Sequence, residues 1–78
     1  MAHYKYPAFL EQRQDAAYDA LYHPGNITPD SGIYRCQMCG WEVVSERNKS
    51  FPPQNHHTHP GREPIQWRLI VFAVHMNP

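Results

Sequence analysis

The feature that most limits how this chain can fold is a pair of cysteines, Cys36 and Cys39, in a sequence of only 78 residues. The core of a domain this short usually supplies about 3–5 kcal/mol of net stability. Apolar residues make up 41% of this chain, and its mean hydropathy is −0.72. A disulfide between cysteines this close would constrain little of the unfolded chain. We therefore expect a bound metal ion to stabilise the fold.

The cysteine pair has the spacing of half a zinc site. Zinc is usually held by four ligands that come as two close pairs, each on a tight turn. Two residues between Cys36 and Cys39 allow both sulfurs to point at one centre. Gly40 follows at once, and glycine permits the positive φ that such a turn commonly requires. These residues predict the first pair of ligands.

The second pair must come from a cluster of three histidines, His56, His57 and His59, among six in the chain. Neutral imidazole is the commonest metal ligand, and the spacer of residues 40–55 is long enough for the two pairs to meet. His56 and His59 repeat the spacing of the cysteines, whereas His57 and His59 would point to one side of an extended backbone. We prefer His56 with His59 and leave the other pairing open.

The predicted site is therefore one Zn²⁺ per chain, held by Cys36, Cys39, His56 and His59. Zinc is favoured over iron because a mixed set of two cysteines and two histidines suits it. The other histidines, His3, His23 and His75, are isolated in the sequence, and we do not expect them to be ligands.

The apolar pattern predicts an α+β fold. A helix over residues 7–22 follows from Pro7, which suits a first helical turn, and from apolar residues at helical spacing. Those apolar residues are Phe9, Leu10, Ala16, Ala17, Ala20 and Leu21. Residues 33–36, 41–46 and 65–74 have the composition of strands. We expect an N-terminal helical arm, residues 1–25, packed on a three-stranded antiparallel zinc-ribbon domain, residues 26–78.

The last predicted strand ends in an apolar run, residues 69–74. We expect this half of the strand to be covered on both faces, by the hairpin on one side and by the helix or a second subunit on the other. Six residues are far fewer than the roughly 20 needed to span a bilayer. The N-terminal residues are polar, unlike a signal peptide, so a cytoplasmic location is expected.

The charge balance argues against two classes of partner. Seven basic residues offset seven acidic ones, which leaves a formal net charge of zero. Binding to nucleic acid or to an anionic membrane surface usually depends on an excess of positive charge. We therefore expect no membrane binding, and nucleic-acid binding is not favoured.

The sequence SGIYRCQMCGWE at residues 31–42, followed by FPP at residues 51–53 and a second ligand pair, resembles the zinc ribbons of small prokaryotic proteins with a rubredoxin-like fold. The resemblance covers residues 29–67 and implies a three-stranded ribbon with one zinc ion. In these ribbons cysteines commonly stand where this chain has Gln54 and His57. Either His57 stays a ligand with His59 replacing Gln54, or the pair moves to His56 and His59. The resemblance implies no substrate or reaction.

The predicted function is a binding or scaffolding module without enzymatic activity. Four protein ligands leave no position on zinc for water or substrate. The apolar residues 69–74 are a candidate for edge pairing with a protein partner or with a second copy in a homodimer.

Three alternatives come from other functional classes. Zinc with three protein ligands and a water would support hydrolysis, with the surplus histidine as proton shuttle and Glu63 as base. A free dithiol at Cys36 and Cys39 would support redox chemistry, although a thiol there lacks the helix N-terminus that lowers its pKa in redox enzymes. A local patch would support nucleic-acid binding. That patch comprises Arg35, Arg47, Lys49, Arg62 and Arg68 with Tyr34, Trp41 and Trp67.

Overall fold

A computed structural model of the chain describes residues 1–74 and contains one three-stranded antiparallel sheet. Its strands are β1, Gly32–Cys36, β2, Glu42–Ser45, and β3, Trp67–Phe72. The order across the sheet is β2-β1-β3. The three predicted strands are thus confirmed, each with somewhat different ends. His75 and the end of the predicted ribbon domain lie outside the described residues.

The central strand β1 sets the register of the sheet. Tyr34 lies opposite Val43 of β2 and opposite Leu69 of β3. The pairing with β3 shifts between Ile33 and Tyr34, where β3 has an additional residue. A bulge of this kind leaves one residue unpaired and bends the strand. After the bulge the pairing is regular, and it continues to the carboxyl end of β1, where Cys36 pairs with Trp67.

The core is small and half aromatic, and it occupies one face of the sheet. The Phe51 ring lies 4.8 Å from that of Tyr34 and 5.3 Å from that of Tyr22. Cys36 is a member of this core, with no exposed surface. The fully buried or nearly buried apolar side chains are Tyr34, Cys36, Phe51, Ile65, Trp67 and Leu69. One end of the core thus coincides with the predicted metal site.

The predicted α+β fold is wrong, because the described residues lack the N-terminal helix. Within residues 1–74 there is no α-helix, and the predicted segment contains two short 3-10 turns, Pro7–Phe9 and Ala16–Tyr18. The backbones of Leu10 and Asp15 between these turns are extended. Phe9 is 80% exposed, so the apolar spacing does not create a buried face. Short helices are marginal without such tertiary contacts.

The N-terminal arm nevertheless contacts the sheet along β3. Tyr22 forms an isolated β-bridge with Trp67, in which each backbone N–H donates to the other residue's carbonyl at 2.9 and 2.8 Å. Farther along β3, the ring of Tyr18 lies 6.4 Å from that of Phe72. The arm therefore covers part of the outer edge of the sheet as an irregular, mostly extended segment.

The apolar end of β3 is less covered than the sequence predicts. Leu69 is buried, but Ile70, Val71 and Phe72 are half-buried, and Val74 is 72% exposed. Cover on both faces is therefore not provided within the described chain. An open groove remains between the end of this strand and the N-terminal arm, near Phe9 and Leu10.

Candidate metal centre

Four side chains meet at the end of β1 in the arrangement of a metal site. Cys36, Cys39, His57 and His59 each offer one ligand atom, and these atoms all lie within 4.8 Å of one another. Cys36 Sγ is 3.4 Å from His59 Nε2, and Cys39 Sγ is 3.4 Å from His57 Nε2. The structure thus brings together the expected cysteine pair and His57 with His59, the histidine pair that was the second choice from the sequence.

The cysteines are held by a tight turn directly after β1. The Gly40 N–H donates to the Cys36 carbonyl at 2.9 Å, and the Cys36 N–H donates to the Trp41 carbonyl at 2.7 Å. The turn requires positive φ at Gly40, and its φ is 81°. The Gln37 N–H donates to the Gln66 carbonyl at 2.8 Å and so joins the turn to the start of β3. The expected role of Gly40 is confirmed.

The environment of Cys36 favours the thiolate that a metal requires. Burial raises the pKa of this thiol, but hydrogen bonds from the His57 ring and from the backbone N–H groups of Cys39 and Met38 outweigh it. The net result is a pKa lowered from 9.0 to about 6. The thiolate is the form that binds metals, so Cys36 can act as a ligand near neutral pH.

His59 is oriented through the ring nitrogen that faces away from the cluster. Its Nδ1 lies 2.8 Å from the carbonyl oxygen of Glu63, which can only accept a hydrogen bond. The proton of the neutral ring is therefore on Nδ1, and Nε2 presents a lone pair to Cys36. Metal-binding histidines commonly have such a partner. The hydrogen bond to Glu63 also raises the pKa of His59 above its usual value.

The structure places His57, and not the preferred His56, beside the cysteines. Residues Gln54–His56 form a 3-10 turn, and the backbone becomes extended at His57. An extended backbone puts side chains two positions apart on the same side. His57 and His59 therefore point together, as in the pairing left open by the sequence. His56 instead lies on the side of the His57 ring that is turned away from the cysteines, with 2.8 Å between the two Nδ1 atoms.

Two tryptophans enclose the histidine half of the cluster. The Trp41 ring stacks on the His57 ring with 4.8 Å between centroids and 8° between planes. Trp67 lies on the core side, with its centroid 5.8 Å from that of His57. Cys36 and His59 are buried, whereas Cys39 is exposed. The cluster is thus dry on one side and open to solvent at Cys39.

Two of the distances among the four ligand atoms match those around a tetrahedral zinc ion. Zinc binds sulfur at about 2.3 Å and imidazole nitrogen at about 2.0–2.1 Å, which separates sulfur from nitrogen by about 3.5 Å in a tetrahedron. The sulfur–nitrogen distances from Cys36 to His59 and from Cys39 to His57 are both 3.4 Å. The donor set of two thiolates and two imidazoles also suits zinc. Cys36, Cys39, His57 and His59 can therefore hold one metal ion.

Within residues 1–74, no helix combines the length and apolar character needed to cross a membrane.

The chain is similar over part of its length to one curated protein, "Protein L" of Escherichia coli. The two are 56% identical over 50 residues, which cover 64% of this chain and 58% of that protein. The chain therefore spans less than two thirds of the relative's length, and the relative's name states no activity. No protein-family model matches the chain, and no solved structure is significantly similar to it.

Proposed function

We propose that the chain is a small non-catalytic binding module whose fold is stabilised by one structural zinc ion. The proposal depends on one observation, the convergence of the ligand atoms of Cys36, Cys39, His57 and His59 within 4.8 Å. Four protein ligands would complete a tetrahedral shell and leave no position for a substrate. The resemblance of residues 31–42 to zinc ribbons supports the same assignment.

The position of the cluster supports a structural role for the ion. Cys36 ends β1 and belongs to the core, whereas His59 lies in the irregular segment that leads into β3. A metal bound by both residues would join parts of the chain that are far apart in sequence. Apparent binding free energies for structural zinc in small peptides are about 10–16 kcal/mol. This exceeds the stability expected from a core of this size, about 3–5 kcal/mol.

The proposal includes a reducing compartment such as the cytoplasm. Both cysteines are free thiols in the structure, and thiols persist where cellular reductants keep disulfides from forming. The lowered pKa of Cys36 favours metal binding there, since the thiolate forms at neutral pH.

The binding surface that we propose is the end of β3 together with the groove beside the N-terminal arm. Beyond the bridge at Trp67, β3 is an edge strand of the sheet. Apolar side chains line this groove, among them Phe9, Leu10 and Phe72. An exposed edge with apolar neighbours is suited to pairing with a strand of another protein or of a second copy. Sedimentation at micromolar concentration separates a homodimer from a monomer that awaits a different partner.

The zinc assignment is tested by native mass spectrometry and thermal unfolding, with and without a chelator. We expect one zinc per chain and a cooperative melt that chelation abolishes. The His3→Ala variant is the matched control, since it removes an exposed histidine far from the cluster in sequence. A chain that is purified without metal and still melts cooperatively would contradict the proposal.

Cobalt substitution distinguishes this closed site from a hydrolytic one. A tetrahedral shell of four protein ligands gives an absorption spectrum that does not respond to added anions. An exchangeable water on the cobalt would instead favour the open hydrolytic site and would overturn the non-catalytic assignment.

A further inference from the structure

The chain has three neighbouring histidines, His56, His57 and His59, and the four-ligand site uses only two of them. His56 is half-buried, and its side chain is not among the four that converge. Its position is nevertheless well defined by its neighbours. The His56 ring meets those of Trp41 and Trp67 edge to face, with centroids 5.2 and 5.7 Å away. Its backbone N–H also donates to the Pro53 carbonyl at 2.9 Å.

The contact between His56 and His57 fixes where the protons are. Their Nδ1 atoms are 2.8 Å apart, a distance at which one nitrogen must donate and the other accept. His57 Nε2 faces Cys39 Sγ, and a nitrogen that binds a metal there needs a lone pair. With a metal on Nε2, the proton of neutral His57 is therefore on Nδ1, whereas in the metal-free fold the ring can donate to the Cys36 sulfur. His56 Nδ1 must then be the acceptor, and the His56 proton is on Nε2.

We propose that His56 is a positioning residue, whose Nδ1 accepts the Nδ1–H of His57 and so holds His57 Nε2 toward the metal. The inference rests on the proposed function, because it assigns a role relative to the same ion. It gives His57 the counterpart of the Glu63 carbonyl that orients His59 at 2.8 Å. One ligand is thus oriented by a backbone oxygen and the other by a side chain. The second arrangement can be removed by mutation.

Two substitutions separate hydrogen bonding from packing at this position. His56→Asn places an amide oxygen near the position of Nδ1 and keeps an acceptor, whereas His56→Leu has a similar branched shape and no acceptor. Both variants lose the ring contacts with Trp41 and Trp67, so they are matched in that respect. We expect His56→Leu to lower zinc affinity about 10–100-fold, the usual effect of removing a group that orients a ligand. His56→Asn should recover most of that loss in a chelator-competition titration.

A second measurement uses the unaltered chain and does not depend on the folding of a variant. Long-range ¹H–¹⁵N spectra of the zinc-loaded protein should show metal-bound Nε2 and protonated Nδ1 for His57. They should also show unprotonated Nδ1 for His56, with a coupling across the hydrogen bond between the two Nδ1 atoms. A metal-shifted nitrogen on His56 would overturn the inference.

Equal zinc affinities for the Asn and Leu variants, close to that of the wild type, would also overturn the role of His56 while leaving the zinc assignment intact. A wild-type chain that binds no zinc would overturn both proposals together. The two failures are therefore distinguishable by whether the unaltered chain binds the metal.

Discussion

The two halves of the candidate metal centre are built in different ways. The cysteine half is a single tight turn, in which Gly40 closes onto the Cys36 carbonyl and backbone N–H groups face the sulfur. The histidine half is an irregular segment in which each imidazole depends on a partner from outside the cluster. His59 uses the Glu63 carbonyl, and His57 uses His56 and the face of Trp41.

Local and tertiary contacts therefore contribute unequally to the two halves. The backbone of the turn positions the thiolates, so much of the geometry is present in a few consecutive residues. The positions of the imidazoles depend on the Trp41 ring and on the segment that ends at Glu63. The cysteine half should therefore tolerate few changes of its own residues, and the histidine half should respond to changes in its surroundings.

The largest effect is expected when a ligand of the cysteine half is replaced. Cys36→Ser removes a thiolate and leaves a hydroxyl at a fully buried position, where an unpaired polar group costs about 1–3 kcal/mol in addition to the lost metal. We expect no cooperative melt with or without added zinc, whereas His57→Ala should still fold at high zinc concentration. Thermal unfolding followed by circular dichroism measures both.

Gln37→Ser, an exposed substitution in the same turn, is the control for the cysteine variant. The contrast between the halves would be contradicted if His57→Ala were as damaging as Cys36→Ser.

The next effect is expected on acidification; it depends on pH, and both halves contribute to it. The pKa of Cys36 is lowered to about 6, so its thiolate stabilises the fold fully above 9.0, the ordinary pKa, and that stability is lost as pH falls toward 6. The raised pKa of His59 acts in the opposite sense on the metal-free fold, since its contribution is lost as pH rises through the raised value. Bound zinc requires both groups to be deprotonated.

Zinc should therefore be retained at pH 7 and released below about pH 6, where protons compete for the Cys36 thiolate. A chromophoric chelator followed from pH 8 to pH 4.5 measures the release. Full retention of zinc at pH 4.5 would be inconsistent with the ligand set.

The smallest effect is expected from Gly40→Ala, which tests the backbone of the cysteine turn. A positive φ costs a residue with a Cβ about 1–2 kcal/mol, and the φ of Gly40 is 81°. The new methyl group would also meet the flexible end of Arg35 at 2.9 Å, which can move aside. Gly25→Ala is the control, because it has a φ of 84° and open space around it.

Chemical denaturation of the zinc-loaded proteins should show a similar loss of stability for both glycine variants. Zinc affinity should fall in Gly40→Ala alone. An unchanged affinity in that variant would mean that the turn does not determine how the thiolates are placed.

The sequence predicts the cysteine half of the centre well because its determinants are adjacent. Cys36, Cys39 and Gly40 define the turn through spacing and φ preference alone. The choice between His56 and His57 depends on where the 3-10 turn at Gln54–His56 gives way to extended backbone. Nothing in the spacing of the histidines encodes that point, so the matching spacing of His56 and His59 gave the other pairing. The packing of the histidine rings against Trp41 and Trp67 determines which histidine lies beside the cysteines.

The strands and the N-terminal arm differ in the same respect. The strands are predicted because the apolar residues of each one meet the core, as Tyr34 and Leu69 do. The arm has apolar residues at helical intervals, but Phe9 and Leu10 remain exposed. A helix there would bury little apolar surface and would not be stabilised by tertiary contacts. The periodicity of apolar residues therefore predicted a helix that does not form, because periodicity does not show whether another surface is available to pack against it.

The bridge between Tyr22 and Trp67 gives the arm a direct link to the metal centre. Trp67 pairs with Cys36 across the sheet, and the preceding residue, Gln66, accepts the hydrogen bond from the cysteine turn. Loosening that turn would disturb β3, the strand with which the arm pairs. The amide proton of Tyr22 is thus a distant reporter of metal occupancy, and its exchange with solvent should quicken when the ion departs.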